Sequence, residues 1–475
     1  MFNKSAEAMT FPRRLFVGFI FLVAICFLGQ TRVQAGWLYV LNDDPAGSRI
    51  YGFQVNESTG ALTALSGFPV ATGFNGGNAL VCERMAIDTV NNRLFVINDG
   101  SNNVSAYSID PATGALASLP FSPIPLDNAT WNSIAVHPSG SPLVVGDGST
   151  TTGRIASFQI TSTTAMAAAG SPYAINPASA FSSVFSQDGN YVYIGGNMGA
   201  LFAGLSVNAS TGVLTPLAGS PFSSATGNPV AHATDAAGRF YVVTTTPEIR
   251  VFTTASGIPT AVTGNPFSVF GMTQRRDGLI HGNGNFYIVA GNSGNNVGVF
   301  QVSGSGSATS LAAVAGSPFA TGGTTANALA LNQAGTILYV ANRLSRNVTT
   351  FAFDTSTGVL TSQGVQPSNT LGATGFLCGI AYLPQAAANA EIGGRVTDAS
   401  GNGIANVRIQ LVSMDGTVRL GAITNPFGYY NFPSVPTGTS YAITPSSKTH
   451  TFAPPSINHG HSGNVSNINF TGTRN

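Results

Sequence analysis

A unit of about fifty residues occurs seven times in this chain, and this period limits the fold more than any single residue does. Each unit contains an apolar strand, and successive strands begin 46 to 56 residues apart. Examples are WLYVLND, RLFVIND and ILYVANR, and the seven strands begin at Trp37, Arg93, Pro142, Tyr191, Arg239, Asn285 and Ile337. A repeat of this length is typical of β-propellers and solenoids.

Each unit supplies four strand-like runs. A short apolar run precedes the first strand, as in RMAID from Arg84, and a second alternating run follows it. The next turn, NESTGALT from Asn56 and DTSTGVLT from Asp354, pairs an Asn or Asp that can bond its own backbone with a Gly that accepts positive φ. A Gly-Ser-Pro-aromatic string, as at 219–222 and 316–319, then closes several units. Four strands make one propeller blade.

The two ends of the repeat array complement each other. The first unit begins directly at its strand from Trp37, whereas the last unit is followed by an extra inner-strand run, LCGIAYLP from Leu377. We expect this run to complete the first blade and close the ring without an open inner edge. The sequence therefore predicts an all-β protein with a closed seven-bladed β-propeller over residues 36–385.

The repeats resemble the YVTN-type repeats of lactonase-like seven-bladed propellers related to bacterial 6-phosphogluconolactonase. The resemblance covers about residues 37–384, and its marks are ILYVANRLSRNVTTFAFD from Ile337, the Ser-Thr-Gly turns and the Ser-Pro-Phe strings. It implies the fold and, by analogy, lactone hydrolysis. These residues are scaffold positions, and no catalytic motif of the family aligns with this chain.

Residues 1–35 have the pattern of a cleaved export signal. Arg13 and Arg14 precede an apolar stretch over 15–28, and the small-residue site Val-Gln-Ala at 33–35 comes directly before Gly36. The apolar stretch is short for a membrane anchor, and the string PRRLFV leaves twin-arginine export open. We expect a periplasmic or extracellular protein without a membrane span after cleavage.

A second pattern begins after the string QAAANA. Residues 386–390 are predicted to be a linker, and residues 391–475 to be a small β-sandwich, because Val407, Ile409 and Leu411 alternate with polar residues. The strings GRVTDASGNGIANVRIQL and TNPFGYYNF resemble the carboxypeptidase regulatory-like domain, which has a transthyretin-like fold. That resemblance implies an accessory module without catalysis.

Charge excludes several classes of partner. Charged residues make up 8% of the chain, and removal of residues 1–35 leaves 15 basic residues (19 − 4) and 17 acidic residues (18 − 1), a net charge of −2. Nucleic-acid binding through counterion release is therefore not expected, and neither is attraction to anionic membranes.

Two cysteines follow the predicted signal, Cys82 and Cys378, each next to an inner strand of neighbouring blades. A disulfide between them would lock the closing strand in an oxidising compartment. Two buried thiols are the alternative, because the sequence does not fix the separation of their Cα atoms.

Common reaction motifs are absent from the sequence. It contains no G-x-S-x-G, C-x-x-C, H-E-x-x-H, EF-hand or P-loop string. His450, His459 and His461 could face one side of a strand, but a histidine pair in a Gly-rich hairpin is usually solvated. We predict neither a cofactor nor a metal.

The candidate site is the central channel, where propellers bind ligands. Arg84 and Arg276 could hold an anion or stabilise an oxyanion, and Glu83 or His232 could activate water. Five further residues are predicted to bind a ligand: Trp131, Asn132, Arg275, His281 and Asn327. The structural alternative is that Glu83 pairs with Arg84, that Arg275 and Asp277 cap a loop, and that His232 is a core residue.

Two functions follow from the sequence. The first is an exported recognition or scaffold protein that binds a small molecule, a polysaccharide or a protein at the channel mouth. The second is a lactone hydrolase that acts on a non-phosphorylated lactone, since a phosphorylated sugar lactone is an intracellular metabolite. The sequence does not decide whether the protein is an enzyme.

Overall fold

The computed structural model describes residues 36–77, 83–127, 129–148, 153–176, 179–269, 271–272, 274–366, 371–385, 389–413, 416, 418–437, 439–461 and 464–475. These residues form β-strands and two single-turn 3-10 helices, Asp99–Ser101 and Gly306–Ala308. Within the described ranges, no helix is long and apolar enough to cross a membrane. The predicted export signal lies outside them.

Seven antiparallel sheets form the seven blades, which we number in chain order, with strands named from the channel outward. The inner strands of blades 1 to 7 are Phe376–Pro384, Met85–Asp88, Trp131–Val136, Ala180–Phe185, Pro229–Thr234, Arg275–Ile280 and Ala326–Leu331. The second strands are Gly36–Asp43, Arg93–Asn98, Leu143–Asp147, Tyr191–Gly196, Arg239–Thr244, Phe286–Gly291 and Ile337–Asn342. The third strands are Arg49–Val55, Asn103–Ile109, Gly153–Ile160, Leu201–Val207, Glu248–Ala255, Asn296–Ser303 and Asn347–Phe353.

The outer strand of most blades is interrupted, a feature that the four-strand reading of each unit did not include. In blades 1 to 6 it is split into two segments that both pair with the third strand. The first segments are Leu62–Ala64, Leu116–Ser118, Ala165–Ala167, Leu214–Pro216, Ile258–Ala261 and Ser310–Ala313. The second are Val70–Ala71, Ile124–Pro125, Tyr173–Ile175, Phe222–Ser223, Phe267–Ser268 and Phe319–Ala320. Blade 7 has one outer strand, Leu360–Gln366.

The ring closes as predicted. The inner strand Phe376–Pro384 pairs antiparallel with Gly36–Asp43, with Leu38 opposite Tyr382. Each inner strand also contacts its two neighbours around the channel. The first and the last strands of the propeller therefore belong to one blade, and the closed seven-bladed ring is confirmed.

Apolar packing joins the blades to one another. Among the described residues, seven of the eight hydrophobic clusters each combine residues of two adjacent blades, and the eighth lies in the C-terminal domain. The aromatic centre of the repeat adds hydrogen bonds between blades: the Tyr39 hydroxyl donates to the Gly114 carbonyl (2.7 Å), and the Tyr193 hydroxyl to the Gly257 carbonyl (2.8 Å). The repeat thus encodes the contacts between blades.

The C-terminal domain is a sandwich of two four-stranded sheets. One sheet has the order Tyr429–Pro436, Asn389–Thr397, Phe470–Arg474 and His450–Ala453. The other has the order Arg419–Ile423, Arg408–Ser413, Thr439–Ser446 and Ile457–His461. Val407, Ile409 and Leu411 are buried between the sheets, as their alternation predicts. The first strand begins at Asn389, so the last two residues of the predicted linker belong to it.

Candidate functional site in the propeller channel

The inner edges of the seven blades line a partly open cavity of about 180 Å³ in the channel. The polar residues that line it come from four blades: Glu83 of blade 2, Ser183 of blade 4, His232 of blade 5 and Asp277 of blade 6. Its apolar lining comprises Met85, Ile134, Val184, Ala328, Gly379 and Ile380. Of the four predicted catalytic residues, the cavity lining includes Glu83 and His232.

Glu83 reaches its position because blade 2 begins at the channel. Its backbone forms a parallel bridge with Ser133 of blade 3, and its carbonyl accepts a hydrogen bond from the Ile134 amide (3.1 Å). Its carboxylate Oε2 accepts a hydrogen bond from the Ser183 amide of blade 4 (3.3 Å). The Glu83 side chain therefore lies across the inner edge of blade 3.

Asp277 supplies the second carboxylate of the cavity. Oδ1 accepts a hydrogen bond from the Gly278 amide and Oδ2 from the Leu329 amide of blade 7, both at 2.7 Å. Burial raises the pKa of Asp277 to about 6, although the two amide donors oppose the shift. A loop cap formed with Arg275 was the structural alternative for this residue, whereas it lies in the inner strand Arg275–Ile280.

The two carboxylates influence the same buried phenol. The pKa of Tyr287 is raised well above its usual value, first by burial and then by the negative charges of Asp277 and Glu83, among others. Among the described residues, the Tyr287 hydroxyl has no hydrogen-bond partner. The negative charges of Asp277 and Glu83 thus act in the same direction on the Tyr287 phenol.

His232 lies between blades 4 and 5. Its ring is parallel to that of Phe240, with the centroids 5.3 Å apart, and it occupies the space that a side chain at Gly195 would need. Burial lowers the pKa of His232 to about 3. Both ring nitrogens are buried, and within the described part of the chain neither has a hydrogen-bond partner. The imidazole is therefore neutral.

Arg84 is held at the rim of the channel by acidic side chains. Its guanidinium contacts the carboxylates of Asp43 (2.7 Å) and Asp99 (3.1 Å) and the Oδ1 of Asn132 (2.9 Å). The side chains of Arg84 and Asp43 are fully buried. This network joins blades 1, 2 and 3, and it includes Asn132, one of the predicted ligand-binding residues.

Two further predicted ligand-binding residues make structural contacts. The Trp131 indole is buried, and its N–H donates to the Asp127 carbonyl (3.1 Å). Asn327 is buried as well: its amide donates to the Leu377 carbonyl (3.4 Å) and accepts a hydrogen bond from Asn292 (3.1 Å).

The remaining predicted residues lie on blade 6. His281 belongs to the turn after the inner strand, where its Nε2 is 2.9 Å from the Gly335 carbonyl and its ring stacks on Phe353. Arg275 begins the inner strand, and Arg276 follows at a bulge, half-buried. Blade 6 thus carries His281 and the two arginines at opposite ends of one inner strand.

The predicted disulfide is not tested, because Cys82 lies outside the described residues. Cys378 is buried in the inner strand of blade 1, and its carbonyl accepts a hydrogen bond from the Arg84 amide (3.2 Å). Among the described residues, no group of three or more His, Cys, Asp or Glu side chains could hold a metal ion.

Fold and channel together define a closed seven-bladed propeller with an acidic cavity, followed by a β-sandwich. Residues 183–371 match the family "Lactonase, 7-bladed beta-propeller", and residues 391–471 match the "Carboxypeptidase regulatory-like domain". The first match runs from the inner strand of blade 4 into the segment after blade 7. Both resemblances seen in the sequence are thereby confirmed. Comparison with curated proteins gave no match.

Several solved structures share the propeller fold. A 6-phosphogluconolactonase candidate from Bacteroides uniformis is 15% identical, with a TM-score of 0.61 over 73% of this chain and 99% of that one. The periplasmic gluconolactonase of Pseudomonas aeruginosa is 17% identical, with a TM-score of 0.58 over 74% of this chain and 99% of its own. A second 6-phosphogluconolactonase candidate, from Bacteroides fragilis, is 16% identical, with a TM-score of 0.58 over 74% of this chain and 99% of that one. At these identities the likeness concerns the fold alone.

Proposed function

We propose that this chain is an exported recognition protein that binds a small molecule in the channel of its propeller, with the sandwich as a second contact module. The observation that carries the proposal is the cavity of about 180 Å³, which Glu83 and Asp277 line from different blades. This volume far exceeds the roughly 15 Å³ that one water molecule needs, and it is smaller than the roughly 300 Å³ of typical ligand pockets.

Two observations favour binding over catalysis. His232 is neutral, and its two ring nitrogens are buried, so it is a poor base for activating water. The guanidinium of Arg84 contacts two carboxylates, Asp43 and Asp99, rather than lying ready for an oxyanion. His232 and Arg84 therefore have structural roles in the propeller. The cavity is accordingly better suited to binding a ligand than to catalysis.

One observation favours lactone hydrolysis as a second candidate. The pKa of Asp277, about 6, suits a general base near neutral pH. In that case Asp277 would take a proton from an attacking water molecule, and Glu83 would bind the substrate beside it. The family match over residues 183–371 supports this candidate by analogy.

Filling the cavity tests the binding proposal. A thermal-shift screen of neutral and charged sugars, lactones and organic acids should find a compound that stabilises the protein. Ala328→Leu adds volume to the cavity lining and should abolish that shift. Ala312→Leu, on the exposed outer strand of blade 6, is the matched control and should keep it. Equal shifts in both variants would place the ligand outside the channel.

Acid release from a panel of sugar and aromatic lactones tests the hydrolase candidate. Because the base must be ionised, kcat/KM should rise with pH and level off above about pH 6, and Asp277→Asn should lose at least about a hundredfold. Asp110→Asn should retain the activity, since Asn already occupies the equivalent turn position at Asn56 and Asn208. No turnover above buffer in the unmodified protein would exclude hydrolysis of these lactones.

A further inference from the structure

We propose that the propeller has a second ligand site, on the face of the ring where the inner strands turn into the second strands, and that this site binds a carboxylated sugar. The proposal does not depend on the channel site. It rests on a partly open groove of about 410 Å³ between blades 4, 5 and 6. This volume lies within the range of roughly 300 to 1,000 Å³ that is typical of ligand pockets.

The groove is lined by the turns of three consecutive blades. Blade 4 contributes Gln187, blade 5 contributes Asp235 and Arg239 with two alanines, and blade 6 contributes the turn 281–285. The turns of these blades, 186–190, 235–238 and 281–285, lie wholly within the described residues. One cation, side-chain amides and small residues therefore meet at one place on this face.

Arg239 is the cation of the groove, and its neighbours fix its orientation. Its Nε donates to Asp235 Oδ2 (2.5 Å), and its Nη2 donates to the Gly284 carbonyl of blade 6 (3.2 Å). The same Asp235 oxygen also accepts a hydrogen bond from the Tyr241 hydroxyl (2.9 Å). Contacts within blade 5 and to blade 6 therefore hold the guanidinium in place before a ligand binds, which lowers the cost of ordering it.

One edge of the Arg239 guanidinium remains available. Among the described residues, its Nη1 has no hydrogen-bond acceptor. Arg93, which begins the second strand of blade 2 as Arg239 begins that of blade 5, donates from Nε to Asp88 (2.8 Å). Its Nη1 donates to the Thr161 carbonyl (2.9 Å) and its Nη2 to the Gly140 carbonyl (3.2 Å). The same Asp-Arg pair is thus fully bonded between blades 2 and 3 and open toward the groove in blade 5.

A carboxylate is the group that best suits this edge, because a guanidinium binds carboxylates through strong charge-assisted hydrogen bonds. Arg154 of blade 3 shows this within the chain, since it contacts the carboxylates of both Asp127 (2.6 Å) and Asp147 (2.9 Å). Arg239 contacts one carboxylate, that of Asp235. A ligand carboxylate would supply the second anionic partner that Arg154 finds in the protein itself.

The rest of the groove suits the hydroxyl groups of a sugar. The Gln187 amide donates to the Thr234 carbonyl (3.1 Å), and within the described part of the chain its Oε1 accepts no hydrogen bond. The exposed side chain of Asn285 makes no hydrogen bond there either. An amide oxygen accepts and an amide nitrogen donates, so these groups can bind hydroxyls beside the carboxylate.

A smaller cavity of about 130 Å³ adjoins the groove and shares Gln187 and Arg239 with it. Asp188 lines only this smaller cavity. Its carboxylate would repel that of a ligand but can accept hydrogen bonds from hydroxyls. We therefore expect the hydroxyl groups of the ligand, rather than its carboxylate, on the side of blade 4.

Matched pairs of uronic acids and neutral hexoses test the proposal. We would titrate the purified protein by calorimetry at low salt with glucuronate and glucose, and with galacturonate and galactose. At least one uronate should bind about tenfold or more tightly than its hexose, because only the uronate carries the charged acceptor. If neither uronate exceeds its hexose, or neither binds at millimolar concentration, the proposal is wrong.

Variants test whether the uronate binds at Arg239. Arg239→Gln should lower uronate affinity by about tenfold or more, whereas Arg93→Gln, which removes the same kind of ion pair from blade 2, should leave it unchanged. Ala236→Glu places a competing carboxylate in the groove, keeps Arg239, and should cause a similar loss. Ala312→Glu adds that charge on an exposed outer strand and should not. Full uronate affinity in folded Arg239→Gln or Ala236→Glu protein would overturn the proposal.

The Ala328→Leu variant separates the two sites. It fills the channel cavity and should keep uronate affinity, because Ala328 does not line the groove. Loss of uronate binding in Ala328→Leu, with retention in Ala236→Glu, would place the carboxylate in the channel and refute the second site. The reverse pattern supports the second site even if the thermal-shift screen finds no channel ligand.

Discussion

At the scale of single residues, the imidazole of His232 couples the propeller's stability to pH. In the folded chain its pKa is about 3, because the ring is buried beside Phe240. In the unfolded chain a histidine titrates near 6.5. Between these values the unfolded state binds a proton that the folded state does not, so stability is present above pH 6.5 and is lost as the pH falls.

We predict that His232→Phe reduces the loss of unfolding free energy as the pH falls. The unmodified propeller should lose about 2 kcal/mol between pH 8 and pH 5 through this residue, and the variant, which keeps an aromatic ring beside Phe240, should not. Urea unfolding followed by tryptophan fluorescence measures this, because both tryptophans, Trp37 and Trp131, lie in the propeller. His450→Phe in the sandwich is the control. An equal loss in unmodified and variant protein would contradict the assignment.

Part of the channel site was predictable from the sequence at this scale. Glu83 and His232 were found because they accompany inner strands, but Asp277 entered only as part of a loop cap, whereas it lies within the inner strand of blade 6. The bulge between Arg275 and Asp277 shifts the strand register by one residue, and a one-residue shift changes which side chain faces the channel. The sequence signal for Asp277 was its carboxylate, which comes just before the apolar part of the strand.

At the scale of elements, the Ser-Thr-Gly turns join strand ends to the neighbouring blade. Gly358 has a φ of +75°, and a Cβ there would lie 2.5 Å from the Phe286 ring of blade 6. Gly67 has a similar φ of +84°, but no atom lies within 4 Å of a Cβ there. Both glycines therefore adopt a left-handed backbone conformation, but only at Gly358 would a side chain clash with a neighbouring ring.

We predict unequal costs for the two alanine variants. Gly67→Ala should lose about 1 to 2 kcal/mol of unfolding free energy from the left-handed backbone alone. Gly358→Ala should lose a further 1 to 3 kcal/mol, roughly, because the Phe286 ring must move. Urea midpoints from tryptophan fluorescence compare them directly. Equal losses would mean that this turn does not pack against blade 6 in solution.

The split outer strand shows what the repeat could not reveal about elements. The Gly-Ser-Pro-aromatic strings were expected to close their units, yet the chain resumes strand pairing after the proline. The serine of each string explains this pairing. Ser171 Oγ accepts a hydrogen bond from the Ser157 amide (2.9 Å), and Ser317 Oγ accepts one from the Val299 amide (3.0 Å). These side chains take the place of a backbone acceptor where the outer strand is interrupted. Local composition predicts the break but not this long-range acceptor.

At the scale of the whole molecule, closure of the ring was predictable because the array starts at a second strand and ends with an inner strand. The ligand was not, because a channel is lined by single side chains from several blades whose distances depend on strand register. The predicted signal ends directly before the first strand of the ring, which begins at Gly36. Gly36 is buried, and it pairs with Pro384 and with Val55 in blade 1.

We predict that the exported protein begins at Gly36. Signal cleavage requires small residues at the first and third positions before the cut, here Ala35 and Val33. Ala35→Gln should therefore block processing, whereas Gln34→Glu, at the permissive position between them, should not. Mass spectrometry and N-terminal sequencing of the secreted fraction would identify the first residue, and a chain that retains Met1 in that fraction would contradict the prediction. Since Gly36 enters the closing blade directly, cleavage at this site would leave no unpaired residues before the first strand.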